Sequence, residues 1–198
     1  LAITDEKLAS AVAILSKYNT RENPREYEIS AETIFSEILS VLNIDKASLE
    51  PMMESFFSFF LEEASLYPEA KQVLSVLKFE GIKLGVYTNV AYGMLEPLAL
   101  RDIVDLSPVF DVVLTSVSVG YRKPNAKGYQ ILLHGLNAKP DEMLFVGDEE
   151  NDIVGANRLG IGSVLVNRSG GSLDFGQRHT IQSLAEIPDI LSLYLLKR

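Results

Sequence analysis

The chain contains no cysteine. Disulfides, thiolate nucleophiles and cysteine-based zinc sites are therefore excluded together, and the composition suits a reducing, cytoplasmic setting. Histidine is nearly as scarce. His134 and His179 are the only two, and neither has a partner at ligand spacing, which makes both structural or surface residues. Basic residues are the minority charge: 18 Lys and Arg against 27 Asp and Glu give a net charge of -9, which argues against nucleic acid or an anionic membrane surface as partner. No apolar run approaches the length of a membrane span. Internal repeats and low-complexity tracts are missing too. What is present is an ordinary globular balance, 47% hydrophobic and 23% charged over 198 residues, with room for one α/β domain and a small insert.

The first third reads as helix. In "TDEKLASAVAILSKYN", Thr4 or Asp5 can cap a helix on which Leu8, Val12 and Leu15 recur at helical spacing. "SAETIFSEILSVLN" repeats the pattern, with Ser30 as cap and Ile34, Ile38 and Leu42 on one face. "SLEPMMESFFSFFLEEA" is a third helix, with Pro51 tolerated in its first turn. Its Phe56, Phe57, Phe59 and Phe60 could form an apolar lid over a substrate, but their spacing favours the packed interior of a helical bundle. This region is expected to form a helical domain over residues 1–65.

From residue 66 the pattern alternates. Helices are expected in "PEAKQVLSVLKFEG", stopped by Gly81, in part of "GMLEPLALRDI", in "NAKGYQILLHGL", opened by Asn125, in "NDIVGANRLG", stopped by Gly160, and in the closing "SLAEIPDILSLYLLKR", with a break or restart at Pro188. Between them stand the short apolar strands "IKLGVYTN", "DVVLTS", "MLFVG" and "GSVLVN". The alternation predicts an α/β fold with a Rossmann-like, mostly parallel sheet covered by helices on both faces, spanning 66–198. Such sheets bind ligands beyond the carboxyl ends of their strands.

Those ends carry the candidate chemistry. Thr88 and Asn89 follow "LGVY" and offer a hydroxyl, an amide and backbone N–H groups to phosphoryl oxygens. Lys123, in "GYRKPNAKGY", offers a point charge for an anion just before a helix. "LFVGDEENDIVGANRLG" crowds Asp148, Glu149, Glu150 and Asp152 at a strand end, where they repel one another unless something positive is present. Asp148 and Asp152 are hard oxygen donors suited to Mg²⁺. A cation together with Lys123 would give an acidic protein a locally positive site for an anionic substrate. Each element alone has a plainer explanation: a turn after a strand, a solvated loop lysine, an acid that caps the next helix. Their order, each at the end of a successive strand, is what makes them specific. The "SGG" at Ser169–Gly171 lacks the Lys and following Ser or Thr of a phosphate-binding P-loop and reads as a surface turn. Tyr121 and Arg122 flank Lys123 without a clear role of their own.

With these residues in place, the chain resembles the haloacid dehalogenase superfamily, in the branch with a small helical cap inserted early in the core. "LGVYTN" is similar to its second motif, "VGYRKPNAKGYQILL" to its third and "LFVGDEENDIVGANRLG" to its fourth. The resemblance implies that Thr88 binds the transferring phosphoryl group, that Lys123 steadies charge on nucleophile and phosphoryl group, and that Asp148 and Asp152 hold Mg²⁺, Asp152 through a water or by orienting its neighbours. It further implies a phosphatase acting on a small phosphorylated substrate through an aspartyl-phosphate. A phosphomutase, or a non-catalytic binding protein that keeps the fold, are the alternatives.

The family's first motif, Asp-x-Asp-x-Thr ending a strand, is absent: no "DxD" occurs anywhere. Asp111, in "VFDVV", is a lone acid at a strand start, the wrong end. "LAITDEKLASAV" is similar to the segment just after that motif in relatives, with Leu1 in the place of the Leu after the Thr. The expectation is that a strand carrying the nucleophile lies upstream, that without it the strands ending in Thr88 and Asp148 flank a gap, and that residues 1–198 alone are inactive and bind Mg²⁺ weakly.

Overall fold

The computed structural model describes residues 3–60 and 65–195, without the side chains of residues 60 and 193–195. Leu1, the expected end of the third helix at 61–64 and that of the closing helix at 196–198 lie outside the described residues. The chain is organised as two compact units. One takes in Leu1–Ser65, Asn89–Asp102 and Thr115–Arg122, the other Leu66–Thr88, Ile103–Leu114 and Lys123–Arg198.

The first unit is helical. Helices α1 (Asp5–Tyr18) and α2 (Ala31–Leu42) begin where the caps predict: Thr4 accepts from the Lys7 N–H and Ser30 from that of Thr33. Helix α3 (Leu49–Phe60) carries Pro51 in its first turn, as expected. Its core is built on Ile34, Phe35, Ile38 and Leu42 of α2, with Ala11 and Ile14 of α1 and Met53 and Phe57 of α3. Phe35, Phe56 and Phe57 meet edge to face with ring centres 5.0–5.6 Å apart, so these aromatics form the interior of the bundle, while Phe59 is exposed. On α1 the expected face is displaced. Leu8 and Val12 are 55% and 56% exposed, and the small Ala11 with Ile14 turns inward instead. Close approach of α1 to α2 favours the residue with the least bulk at the crossing.

The second unit carries α4 (Ala70–Phe79) and β1 (Gly85–Thr88) in sequence. The short α5 (Glu96–Ala99) of the first unit follows, the helical part of "GMLEPLALRDI", and a 3₁₀ stretch continues it over Arg101–Val109. Then come β2 (Val112–Thr115), the single turn α6 (Ser116–Val119), α7 (Ala126–Leu136), β3 (Leu144–Gly147), α8 (Glu150–Arg158), β4 (Gly162–Val166), β5 (His179–Ile181) and α9 (Ile187–Leu195). Asn125 caps α7 through the Lys127 N–H, Gly81 and Gly160 take positive φ beyond α4 and α8, and the closing helix starts afresh at Ile187 with Pro188 in its first turn. β3, β4 and β5 are parallel, in the order β3-β4-β5, and β1 pairs with β2 in a second sheet. β5 was not expected; three residues, His179 to Ile181, are too few to show a period. Helices α4 and α9 cover one face through Val73, Leu77, Ile187 and Ile190, packed with Val164 and Ile181. Helices α7 and α8 pack against each other, with α7 against β1 and α8 against β3 and β4.

The described residues thus form two sheets and not one. A cavity of 1020 Å³ is lined by Gly85–Tyr87 of β1 and Leu144–Gly147 of β3, with Leu77 of α4, Leu132 and Leu136 of α7 and Ile187 of α9 among its apolar walls.

Candidate active site

Lys123, Asp148 and Asp152 are among the polar residues that line this cavity. Asp152 is the centre of the arrangement. One carboxylate oxygen receives the Lys123 ammonium at 2.5 Å; the other accepts the backbone N–H groups of Asp148 and Glu149, each at 3.1 Å. Both side chains of the ion pair are at least nine-tenths buried, 10% exposed for Lys123 and 3% for Asp152. Asp152 stands in the first turn of α8, where the helix dipole favours negative charge. The N-cap of this helix is Glu149, and Asp152, at N3, accepts the backbone N–H of that N-cap residue.

The crowding of acids at the end of β3 has a local resolution. The one buried member, Asp152, is neutralised by Lys123 and two N–H donors, while Asp148, Glu149 and Glu150 are exposed and solvated. Asp148 is exposed, lines the cavity and follows directly on the last residue of β3. Among the described residues no three His, Asp or Glu side chains converge as a metal-binding group. A hard cation that takes one or two carboxylates and otherwise water or substrate oxygens suits such a donor set.

Thr88 is the last residue of β1 and half-buried, directly after Tyr87 of the cavity wall. Asn89 follows it and opens the second stretch of the helical unit. Arg122, which the sequence left without a role, is 5% exposed. Its guanidinium meets the Glu28 carboxylate at 2.5 Å and the Val90 carbonyl at 2.7 Å, and its backbone N–H donates to Glu26. Asp111 joins the start of β1 to α4: its oxygens accept from the Leu84 N–H and the Lys78 ammonium, both at 2.8 Å.

Sequence reasoning passed over Gly147. A Cβ there would stand 2.3 Å from the Asp152 Cγ and Oδ2, so only glycine lets that carboxylate fold back over the strand end. The available signal was a glycine at the end of an apolar strand, a mark of close approach.

A parallel α/β unit with an acid–lysine pair beyond a strand's carboxyl end defines a class of enzyme-like folds. The chain belongs to the haloacid dehalogenase-like hydrolases, whose family model matches residues 6–160. Among curated relatives, it is 34% identical over 154 residues to a ribulose-1,5-bisphosphate 5-phosphatase of Halopiger xanaduensis, covering 70% of this chain and 62% of that protein. It is 29% identical over 150 residues to the phosphoglycolate phosphatase of Escherichia coli K12, covering 73% and 59%. These alignments span about three fifths of the relatives' lengths. Among solved structures, a 2-haloacid dehalogenase from Pseudomonas syringae pv. Tomato DC3000 superposes with a TM-score of 0.74, covering 98% of this chain and 83% of that one at 23% identity, which shows a shared fold.

Proposed function

We propose that the protein is a phosphatase that hydrolyses a small soluble phosphomonoester, with Mg²⁺ as cofactor and an aspartyl-phosphate intermediate. The observation that carries this reading is the buried Lys123–Asp152 pair beside Asp148, beyond the end of β3. Asp148 would hold the cation, which supplies positive charge to the phosphoryl oxygens. Asp152 would act by orienting Lys123 and the Asp148 backbone. The Lys123 ammonium would stabilise charge on the phosphoryl group and its acceptor, and the Thr88 hydroxyl, with Asn89, would bind phosphoryl oxygens. The nucleophilic carboxylate is proposed to lie on a strand preceding Leu1. The cavity supports that proposal: β1 and β3 line it from two separate sheets of the described residues, and a strand between them would join the sheets. Its carboxyl end would then lie beside Lys123 and Asp148.

The relatives named as phosphatases favour a phosphorylated metabolite as substrate. No helix of the described residues is long and apolar enough to cross a membrane, and the lack of cysteine agrees with the cytoplasm as the proposed location. The test is phosphate release from p-nitrophenyl phosphate by the full-length protein, with and without Mg²⁺. Lys123→Ala is expected to lower kcat by at least about 100-fold, as for loss of a transition-state charge partner. Turnover unchanged in that variant would defeat the assignment.

A further inference from the structure

Below Lys123 the second unit carries three aromatic rings. The Lys123 ammonium lies 5.8 Å from the ring centres of both Tyr87 and Phe145, within cation–π range of each. Tyr129 stands against both rings, 5.5 Å from Tyr87 and nearly perpendicular to it, 4.8 Å from Phe145 and tilted. Tyr129 has no exposed surface. Its hydroxyl lies 3.0 Å from the Asn151 carbonyl and 3.1 Å from that of Asp152, and shares its single hydrogen between them. Both carbonyls belong to the first turn of α8, the turn that carries the Asp152 carboxylate to Lys123.

Two glycines make room for this arrangement. A Cβ at Gly128 would stand 2.1–2.4 Å from the phenol end of Tyr87, and one at Gly155 would stand 2.4 Å from the Tyr129 ring and hydroxyl. Phenylalanine would fill the Tyr129 site equally well as a hydrophobe. The hydroxyl adds a tether to carbonyls that the helix ladder already serves. Burial raises the phenol's pKa, so it stays a neutral donor.

We propose that Tyr129 is a positioning residue for the Lys123–Asp152 pair. Its ring sets the spacing of the two aromatic faces under the ammonium, and its hydroxyl fixes the opening turn of α8 and so the direction of the Asp152 carboxylate. The effect on catalysis rests on the phosphatase reading above; the effect on geometry does not.

The test uses the full-length protein with Tyr129→Phe and Phe145→Leu. Four quantities are read: kcat and KM for p-nitrophenyl phosphate, Mn²⁺ affinity by electron paramagnetic resonance, and the Lys123–Asp152 separation in crystals. Tyr129→Phe is expected to lower kcat and weaken Mn²⁺ binding by about tenfold each, in the range for loss of an outer-shell partner, with KM within about twofold of wild type. Phe145→Leu is expected to act in the same direction. If Tyr129 merely fills space, Tyr129→Phe leaves kcat, Mn²⁺ affinity and the ion-pair separation as in wild type; that result overturns the proposal. If the wild-type protein releases no phosphate, the phosphatase reading fails, and the crystallographic separation alone decides the role of Tyr129.

Discussion

At the scale of single residues, three glycines seat the side chains around Lys123. Gly147 admits the Asp152 carboxylate, Gly128 the Tyr87 phenol and Gly155 the Tyr129 ring. Two of them stand inside helices, where glycine costs about 1 kcal/mol against alanine; the close approaches explain why they are tolerated. Asp152 joins these contacts to charge. Its removal would leave the Lys123 ammonium buried without its carboxylate and two backbone N–H groups without their acceptor. Asp152→Ala is therefore expected to lower unfolding stability by about 3–5 kcal/mol in a denaturant titration. A loss below about 1 kcal/mol would mean that water takes over the site. Asp148→Ala, on an exposed carboxylate, should change stability by less than about 0.5 kcal/mol.

Among the elements, the connection between residues 26–28 and 120–122 was invisible in the sequence. Tyr27 bridges Tyr121 in antiparallel fashion, the Glu28 N–H donates to Gly120 and the Arg122 N–H to Glu26. Two buried arginines share one carboxylate here: Arg122 meets Glu28 at 2.5 Å, and Arg25 only at 3.9 Å. Arg25 donates Nη1 to the Tyr18 carbonyl, but its buried Nε and Nη2 lack hydrogen-bond partners among the described residues. Desolvation, then the proximity of Arg122, pulls its pKa down. The two arginines should differ accordingly. Arg122→Met is expected to cost about 3–5 kcal/mol, because Glu28 loses its close partner. Arg25→Met should cost less than about 1 kcal/mol or stabilise, because it removes an incompletely satisfied buried cation. Equal losses in the two variants, measured by urea unfolding, would contradict this ranking. The charges in "RENPREYE" were plain in the sequence; the convergence of Glu28 with Arg122 was not, since the two stand 94 residues apart. The helices were more legible. Thr4, Ser30 and Asn125 marked their starts because a cap is a contact between near neighbours.

For the whole molecule, the net charge of -9 makes acid stability a question of which carboxylates are held. Glu69 is pulled down to about 2, first by its own backbone N–H and then by Arg168, whose guanidinium lies 2.8 Å away and stacks on Tyr67. Asp111 is lowered too, first by Lys78 and then by the Leu84 N–H. A carboxylate whose folded pKa lies below its unfolded value contributes stability above the unfolded pKa and loses it as pH falls through the folded one. Stability should therefore fall as the pH drops from about 4.5 towards 2, and Glu69→Gln should flatten the part of that fall due to Glu69. An identical pH profile in the variant, by thermal unfolding across that range, would remove Glu69 from the account.

The sequence by itself determined the capped starts of α1, α2 and α7, four of the five strands and the order of Thr88, Lys123, Asp148 and Asp152 along the chain; Lys123 lies beyond α6, in the segment before α7, and not at a strand end. These come from periodicity and capping, which act within a few residues. Tertiary structure alone decided that Asp152 is engaged by Lys123 and the strand-end N–H groups, that Arg122 is buried against Glu28, and that β1 and β3 lie in separate sheets on a shared cavity. Each of these depends on which distant groups meet where water is excluded, and no local pattern encodes that.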